Sequence, residues 1–242
     1  MLINEIEVTK ASISFKCLSL ENHDLESIFD AISQRGELFN LDNEIPGFHD
    51  FVLENSVIRG HYSVVYPFEI EHLVDGLTTK TLFKRIESCE FVITDKIVLL
   101  FGKNNPAKLF TVGLGLALGE NIELYEFDFV QMSRFQDRML NIKSIVLANP
   151  KEKEIRRARL AGHMEDYTEY NIIDPRNHSI ESVSGLVETP LGKMTATVGK
   201  KGSLRLGVKK GMILTIECIQ YILDLLLSES GPGPVSSNFT TY

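Results

Sequence analysis

The residues best suited to chemistry in this chain are Lys193, Lys200, Lys201, Arg205, Lys209 and Lys210, all the charged groups between Thr189 and Gly211, with no acid among them. Interleaved with Thr195, Thr197 and Ser203, they form a set that suits phosphate oxygens, because lysine and arginine supply charge and hydroxyls supply neutral donors. The segment contains no aromatic residue. Base stacking is therefore not expected, and contact with a polyanion backbone, without sequence reading, is the chemistry this pattern predicts.

A second basic run, Lys151, Lys153, Arg156, Arg157 and Arg159, follows Pro150 and reads as a charged helix. Its i, i+3 spacing sets Arg156 and Arg159 on one face, and Glu152 faces Arg156 at i, i+4. Beside the first segment it would extend one positive surface. The plainer explanation of both runs is structural: solvated turns, a solvated helix face, and edge-strand lysines that discourage aggregation.

The charge distribution sharpens the contrast. The chain carries a formal net charge of −8, and residues 1–80 hold 14 acids against 5 bases, whereas residues 138–211 hold 14 bases against 8 acids. Segregation of this kind points to an anionic partner or to docking between oppositely charged regions of neighbouring copies.

Catalytic signatures are weaker. Gly113, Gly115 and Gly119 fall within or at the end of a helix-like apolar stretch and do not match the spacing of a dinucleotide loop, so helix packing through small residues is expected. His163, Glu165, Asp166 and Glu169 are the densest group of potential acids, bases or metal ligands, but the CxxC partner of a deaminase and the HExxH of a zinc protease are both missing from the sequence. Asp95-Lys96, with Glu90 nearby, has the residue types of a magnesium-dependent nuclease, yet a turn explains the pair. His61, His72 and His178 read as structural polar residues. No cofactor and no metal set is expected, and the catalytic residues, if any, are not named by the sequence.

These groups need elements to position them. Ile13, Phe15 and Cys17 alternate with polar neighbours as in a half-buried strand, and Asp24 to Gln34 repeats apolar residues at helical spacing before Arg35-Gly36. Residues 40–50 read as loop. Val57 to Ile70, Phe83 to Thr94 and Lys96 to Phe101 read as strands pairing antiparallel with their neighbours. Ala107 to Leu118, behind Pro106 and ended by Gly119, reads as a buried helix. Ile122 to Phe129 reads as a strand, Val130 to Leu140 as a helix and Ile142 to Leu147 as a strand.

From Ile180 the pattern becomes three antiparallel strands, Ile180 to Glu188, Lys193 to Val198 and Ser203 to Val208, joined by the turns 189–192 and 199–202. Alternation puts Met194, Ala196, Val198, Leu204, Leu206 and Val208 on an inner face, and Lys193, Thr195, Thr197, Ser203 and Arg205 on an outer one. A helix from Met212 to Leu227 would pack on the inner face and expose Leu214, Tyr221 and Leu225 to a second domain or subunit. Lys209 and Lys210 would stand at its N-terminus, where a bound anion would meet free backbone N–H groups.

The predicted fold is thus α+β, with largely antiparallel sheets, packed helices and a C-terminal three-stranded unit closed by an apolar helix. An acidic region over 1–80, a second region over 81–228 and a disordered tail over 229–242 are expected, or one domain overall. Cys17, Cys89 and Cys218 have no metal or disulfide spacing, which suits a reducing, cytoplasmic setting, and neither a leader nor a membrane span is read. Three functions follow in order: a non-enzymatic protein binding nucleic acid or another polyanion; a homo-oligomeric assembly or regulatory subunit acting through protein contacts; and a metal-dependent nuclease or hydrolase.

Overall fold

The computed structural model describes residues 5–20, 23–75, 77–148, 157–162 and 179–230. The first half of the chain runs β1 (Glu5–Glu7), β2 (Ser12–Leu18), α1 (Leu25–Arg35), β3 (Gly47–Glu54), β4 (Val57–Val74), β5 (Leu77–Ile93), β6 (Val98–Gly102) and α2 (Asn104–Leu118). The second half adds α3 (Phe129–Asp137), β7 (Asn141–Ala148), β8 (Arg157–Ala161), β9 (Ser179–Thr189), β10 (Gly192–Gly199), β11 (Ser203–Gly207), β12 (Ile213–Thr215) and α4 (Ile216–Leu227). The fold is α+β with antiparallel ladders throughout the named strand pairs, as the periodicity predicts. Two compact units form: Lys16–Leu124, and Met1–Phe15 with Tyr125–Tyr242.

The Lys16–Leu124 unit is an antiparallel sheet in the order β3-β4-β5-β6-β2, with α1 and α2 on one face. Asp24 caps α1, its carboxylate accepting from the Ser27 backbone N–H at 2.8 Å and from the Ser27 hydroxyl at 2.7 Å. Ile28, Ala31 and Ile32 turn inward from this helix. The centre is an aromatic group: Phe110 of α2 lies 4.9 Å from Phe91 and 5.5 Å from Phe48, centroid to centroid, and Phe48 lies 5.0 Å from Tyr62. These are edge-on and tilted contacts of the kind that ring quadrupoles favour, and each buried Phe contributes roughly 1.5–3 kcal/mol through burial.

Helix α2 corrects one expectation. Ala107, Phe110, Leu114 and Ala117 face the core, but Leu109, Val112 and Leu116 are exposed, Leu116 at 78%. A nearly all-apolar sequence hides which side packs; the sheet lies on one side only. Its glycines differ in role: a Cβ on Gly113 would meet the Tyr62 ring at 3.3 Å and one on Gly115 the Glu120 carbonyl oxygen at 2.7 Å, whereas Gly119 stands in open space and closes the helix at φ 78°.

Residues 78–84 lie inside β5, whose pairing with β4 continues from Ile58↔Ile93 out to Val74↔Leu77. On this hairpin Phe68 and Phe83 stack at 5.8 Å, and the Arg85 guanidinium lies over Tyr66 and Phe68. Ile70, Leu73, Leu77, Leu82 and Ile86 are exposed along it.

The other unit is a sheet in the order β2-β11-β10-β9-β7-β8, to which β2 contributes Ser12–Phe15, with α3 and α4 alongside and a small β1-β12 ladder. A capping box starts α3: Asp128 accepts from the Gln131 backbone N–H, and the Gln131 side chain accepts from the Asp128 N–H. Three element expectations fail in this half of the chain. Residues 122–129 form no strand; only Leu124 bridges Leu18, while the Phe127 N–H goes to the Lys200 carbonyl. Arg157–Ala161 is a strand rather than helix, because β7 offers a free edge and Ala158 and Leu160 alternate with exposed Arg157, Arg159 and Ala161. The last helix begins at Ile216, not near Met212: Thr215 caps it, and residues 213–215 are drawn into pairing with β1.

Leu214 and Leu225, expected to meet a second domain or another subunit, are buried within the chain itself, and Tyr221 is partly so. Among the described residues no helix is long and apolar enough to cross a membrane.

Candidate functional site

The outward face of the 125–242 unit is built by strict alternation. Along β10 the inner residues Met194, Ala196 and Val198 are buried, and along β11 so are Leu204 and Leu206, which leaves Lys193, Thr195, Thr197, Ser203 and Arg205 outward as the sequence predicts. Val208, just past β11, is buried with the inner set.

Cross-strand register then aligns hydroxyls. Ser144 of β7 stands opposite Ser184 of β9, Ser184 opposite Thr197 of β10, and Thr197 opposite Arg205 of β11. The Thr197 hydroxyl donates to Ser184 Oγ at 2.8 Å. At the end of this row the Arg205 guanidinium reaches the Ser12 hydroxyl through Nε at 3.2 Å and Nη2 at 2.9 Å. Lys143 sits at a register break in β7, and its ammonium donates to Thr195 Oγ1 at 2.9 Å. Nothing in the sequence marks Lys143, because an isolated lysine joins the site only through the β7-β9 pairing.

The remaining predicted cations divide. Lys193, exposed, stands opposite Glu188 in the β9-β10 ladder. Lys200 pairs with Glu126 at 3.1 Å, so its charge is partly spent within the protein. Lys201 is exposed at the tip of the β10-β11 turn. Arg159 is exposed on β8 opposite Val146, and its neighbour Arg157 pairs with Glu181 at 2.8 Å. Arg156 lies outside the described residues, as do His163, Glu165, Asp166 and Glu169.

Lys209 and Lys210 are exposed, and β12 lies between them and α4 in the chain, so the helix starts at Ile216 rather than directly after the two lysines as expected.

Asp95 occupies the expected turn. The Thr94 hydroxyl accepts from the Lys96 and Ile97 backbone N–H groups and donates to the Ile97 carbonyl. Glu90 is engaged elsewhere, accepting from Arg59 Nη2 at 2.9 Å.

A second polar group, unseen in the sequence, lies on the sheet of the Lys16–Leu124 unit. His49, His61 and Glu90 are consecutive partners across β3, β4 and β5, and Ser63 and Ser88 are partners one step along. The two imidazoles stack at 5.3 Å. A bulge follows His49, and Asp50 takes φ 48°, turning its carboxylate to within 2.9 Å of His49 Nδ1. Burial holds the His61 pKa below its ordinary value, opposed by Glu90. Elsewhere in this unit a groove of about 860 Å³ opens beside α2, lined by Lys16, Leu18, Val112, Leu116, Glu120 and Leu124.

Together these features define an α+β protein with a basic, hydroxyl-bearing sheet face and a separate histidine-carboxylate group. No protein-family model matches the chain, and no curated protein matches it.

Proposed function

We propose that this is a binding protein whose outward sheet face in the 125–242 unit takes up nucleic acid or another polyanion through its phosphate or equivalent anionic groups. The observation that carries the reading is the row Ser144, Ser184, Thr197 and Arg205, flanked by Lys143 and Lys193. Hydroxyls and cations there are aligned at strand spacing, about 4.7–4.9 Å, so an anionic backbone lying across the strands would meet a polar group on each of them. Lys143 and Arg205 contact hydroxyls rather than carboxylates, which leaves their positive charge uncompensated by those partners, whereas Lys193 stands opposite Glu188. Recognition would be by charge and would not read bases.

Labelled DNA and RNA, single and double stranded, titrated at two salt concentrations, test this. Affinity should fall steeply with salt, with a log-log slope of about −0.9 for each duplex phosphate neutralised. Combined Lys143→Glu, Lys193→Glu and Arg205→Glu should abolish binding with the fold preserved by circular dichroism; unchanged affinity would sink the proposal.

A second reading, assembly through protein contacts, draws on the exposed apolar side of α2 at Leu109, Val112 and Leu116 and on the exposed residues of the β4-β5 hairpin. It requires an oligomer or a co-purifying protein, and a Leu116→Glu substitution that dissociates it.

A further inference from the structure

We infer that His49, Asp50 and His61 form a binding site for a divalent cation of the zinc class. One ligand atom from each of the three residues lies within 4.8 Å of the others. Two imidazoles and a carboxylate are the donor set that zinc, among divalent ions, takes readily, and three protein ligands leave a fourth position for water or an exogenous ligand. All three residues belong to the Lys16–Leu124 unit, so the inference is independent of the polyanion-binding face.

Three features of the surroundings point to a ligand. First, His61 Nδ1 is buried without a hydrogen-bond partner, a cost that a metal would remove. Second, the bulge after His49 sets Asp50 at φ 48° and brings its carboxylate to 2.9 Å from His49 Nδ1.

Third, the far sides of both rings have partners of the type that orient metal-bound histidines. His49 Nε2 lies 2.7 Å from Ser63 Oγ, which lies 2.6 Å from Ser88 Oγ. The hydroxyl pair can reverse its direction, so Ser63 Oγ can accept a hydrogen bond from His49 Nε2–H in the tautomer that leaves Nδ1 free to bind metal. His61 Nε2 faces Glu90 at 3.9 Å, and Arg59 steadies that carboxylate.

The site is drawn open by about an ångström or more. Zinc bonds of about 2.0–2.1 Å place tetrahedral ligands roughly 3.3 Å apart, against a spacing here of up to 4.8 Å. Asp50 is 74% exposed and free to move, and the two imidazoles, whose planes lie 22° apart, must tilt towards each other for their in-plane lone pairs to meet on one ion.

Calorimetric titration of the full chain with zinc chloride tests the inference, with His72→Gln as a control for a histidine outside the site. One zinc should bind wild type and His72→Gln alike. Loss of a ligand in Asp50→Asn or His61→Gln should weaken that binding by more than the about 10–100-fold typical of an outer-sphere partner. Asp50→Asn changes an exposed side chain, and circular dichroism confirms its fold. Cobalt absorption in the visible range gives a second readout, expected in wild type and lost in both ligand variants. Absence of binding to wild type, or binding undiminished in folded Asp50→Asn, would overturn the assignment.

Discussion

Arg138 Nη1 donates to the Leu225 carbonyl oxygen at 2.8 Å, so the residue that ends α3 also closes the C-terminus of α4. The same guanidinium reaches the carbonyls of Asp224, Ser228 and Glu229 at 3.2, 3.1 and 3.0 Å. Helix ends leave carbonyls without intrahelical donors, and a cation there also complements the helix dipole. Arg138→Ala should therefore lower unfolding free energy by about 1–3 kcal/mol, measured by urea denaturation. Arg138→Lys should recover only part of it, because a single ammonium cannot span four carbonyls as a planar fork does.

Gly115→Ala should destabilise the protein although alanine is the better helix former by about 1 kcal/mol. The new methyl would meet the Glu120 carbonyl oxygen at 2.7 Å, a backbone atom that cannot rotate aside. Overpacking of this kind costs about 1–3 kcal/mol. At Gly113 the nearest obstacle is the Tyr62 ring at 3.3 Å, so Gly113→Ala should have the smaller effect. Thermal melts of the two variants side by side check the ranking, and equal melting temperatures would refute it.

Alkaline pH should weaken the fold through three buried acids. Desolvation pushes the thiols of Cys17 and Cys89 up from 9.0 to about 12, and the Tyr62 phenol up from 10.0 to about 12. Each folded-state pKa is raised, so the unfolded chain loses these protons first. Stability is full below the unfolded values and falls as pH rises from 9 towards 12. Urea midpoints should drop across that window, and Cys89→Ala should flatten part of the slope. Native Cys17 and Cys89 should also react with thiol reagents far more slowly than the unfolded chain, since thiolate is the reactive form.

The apolar and polar sorting of β10 and β11 is legible in residue order alone, because period-2 alternation of Met194, Ala196 and Val198 against Lys193, Thr195 and Thr197 has only one half-buried arrangement. Helix α1 is equally legible: Asp24 announces its start, and Ile28 and Ile32 share a face. Local chemistry fails where a segment suits two structures. Arg157-Ala158-Arg159-Leu160-Ala161 is compatible with helix or strand, and the open edge of β7 selects the strand. Residues 213–215 resemble the first turn of the helix they precede, but β1 recruits them into a ladder.

By itself, then, the sequence determined the α+β class, the two-faced strands of the last third and the basic character of their outer face, all properties of residue order and periodicity. Only tertiary structure decided which charges act together. Strand register brings Lys143 to Thr195, sets Ser144, Ser184 and Thr197 in a row with Arg205, and pairs Lys200 with Glu126. Register also stacks His49 on His61, residues with no shared motif, and the bulge beside them turns in Asp50. Periodicity assigns a side chain to a face; its neighbours across that face come from non-local pairing, which no local window of sequence contains.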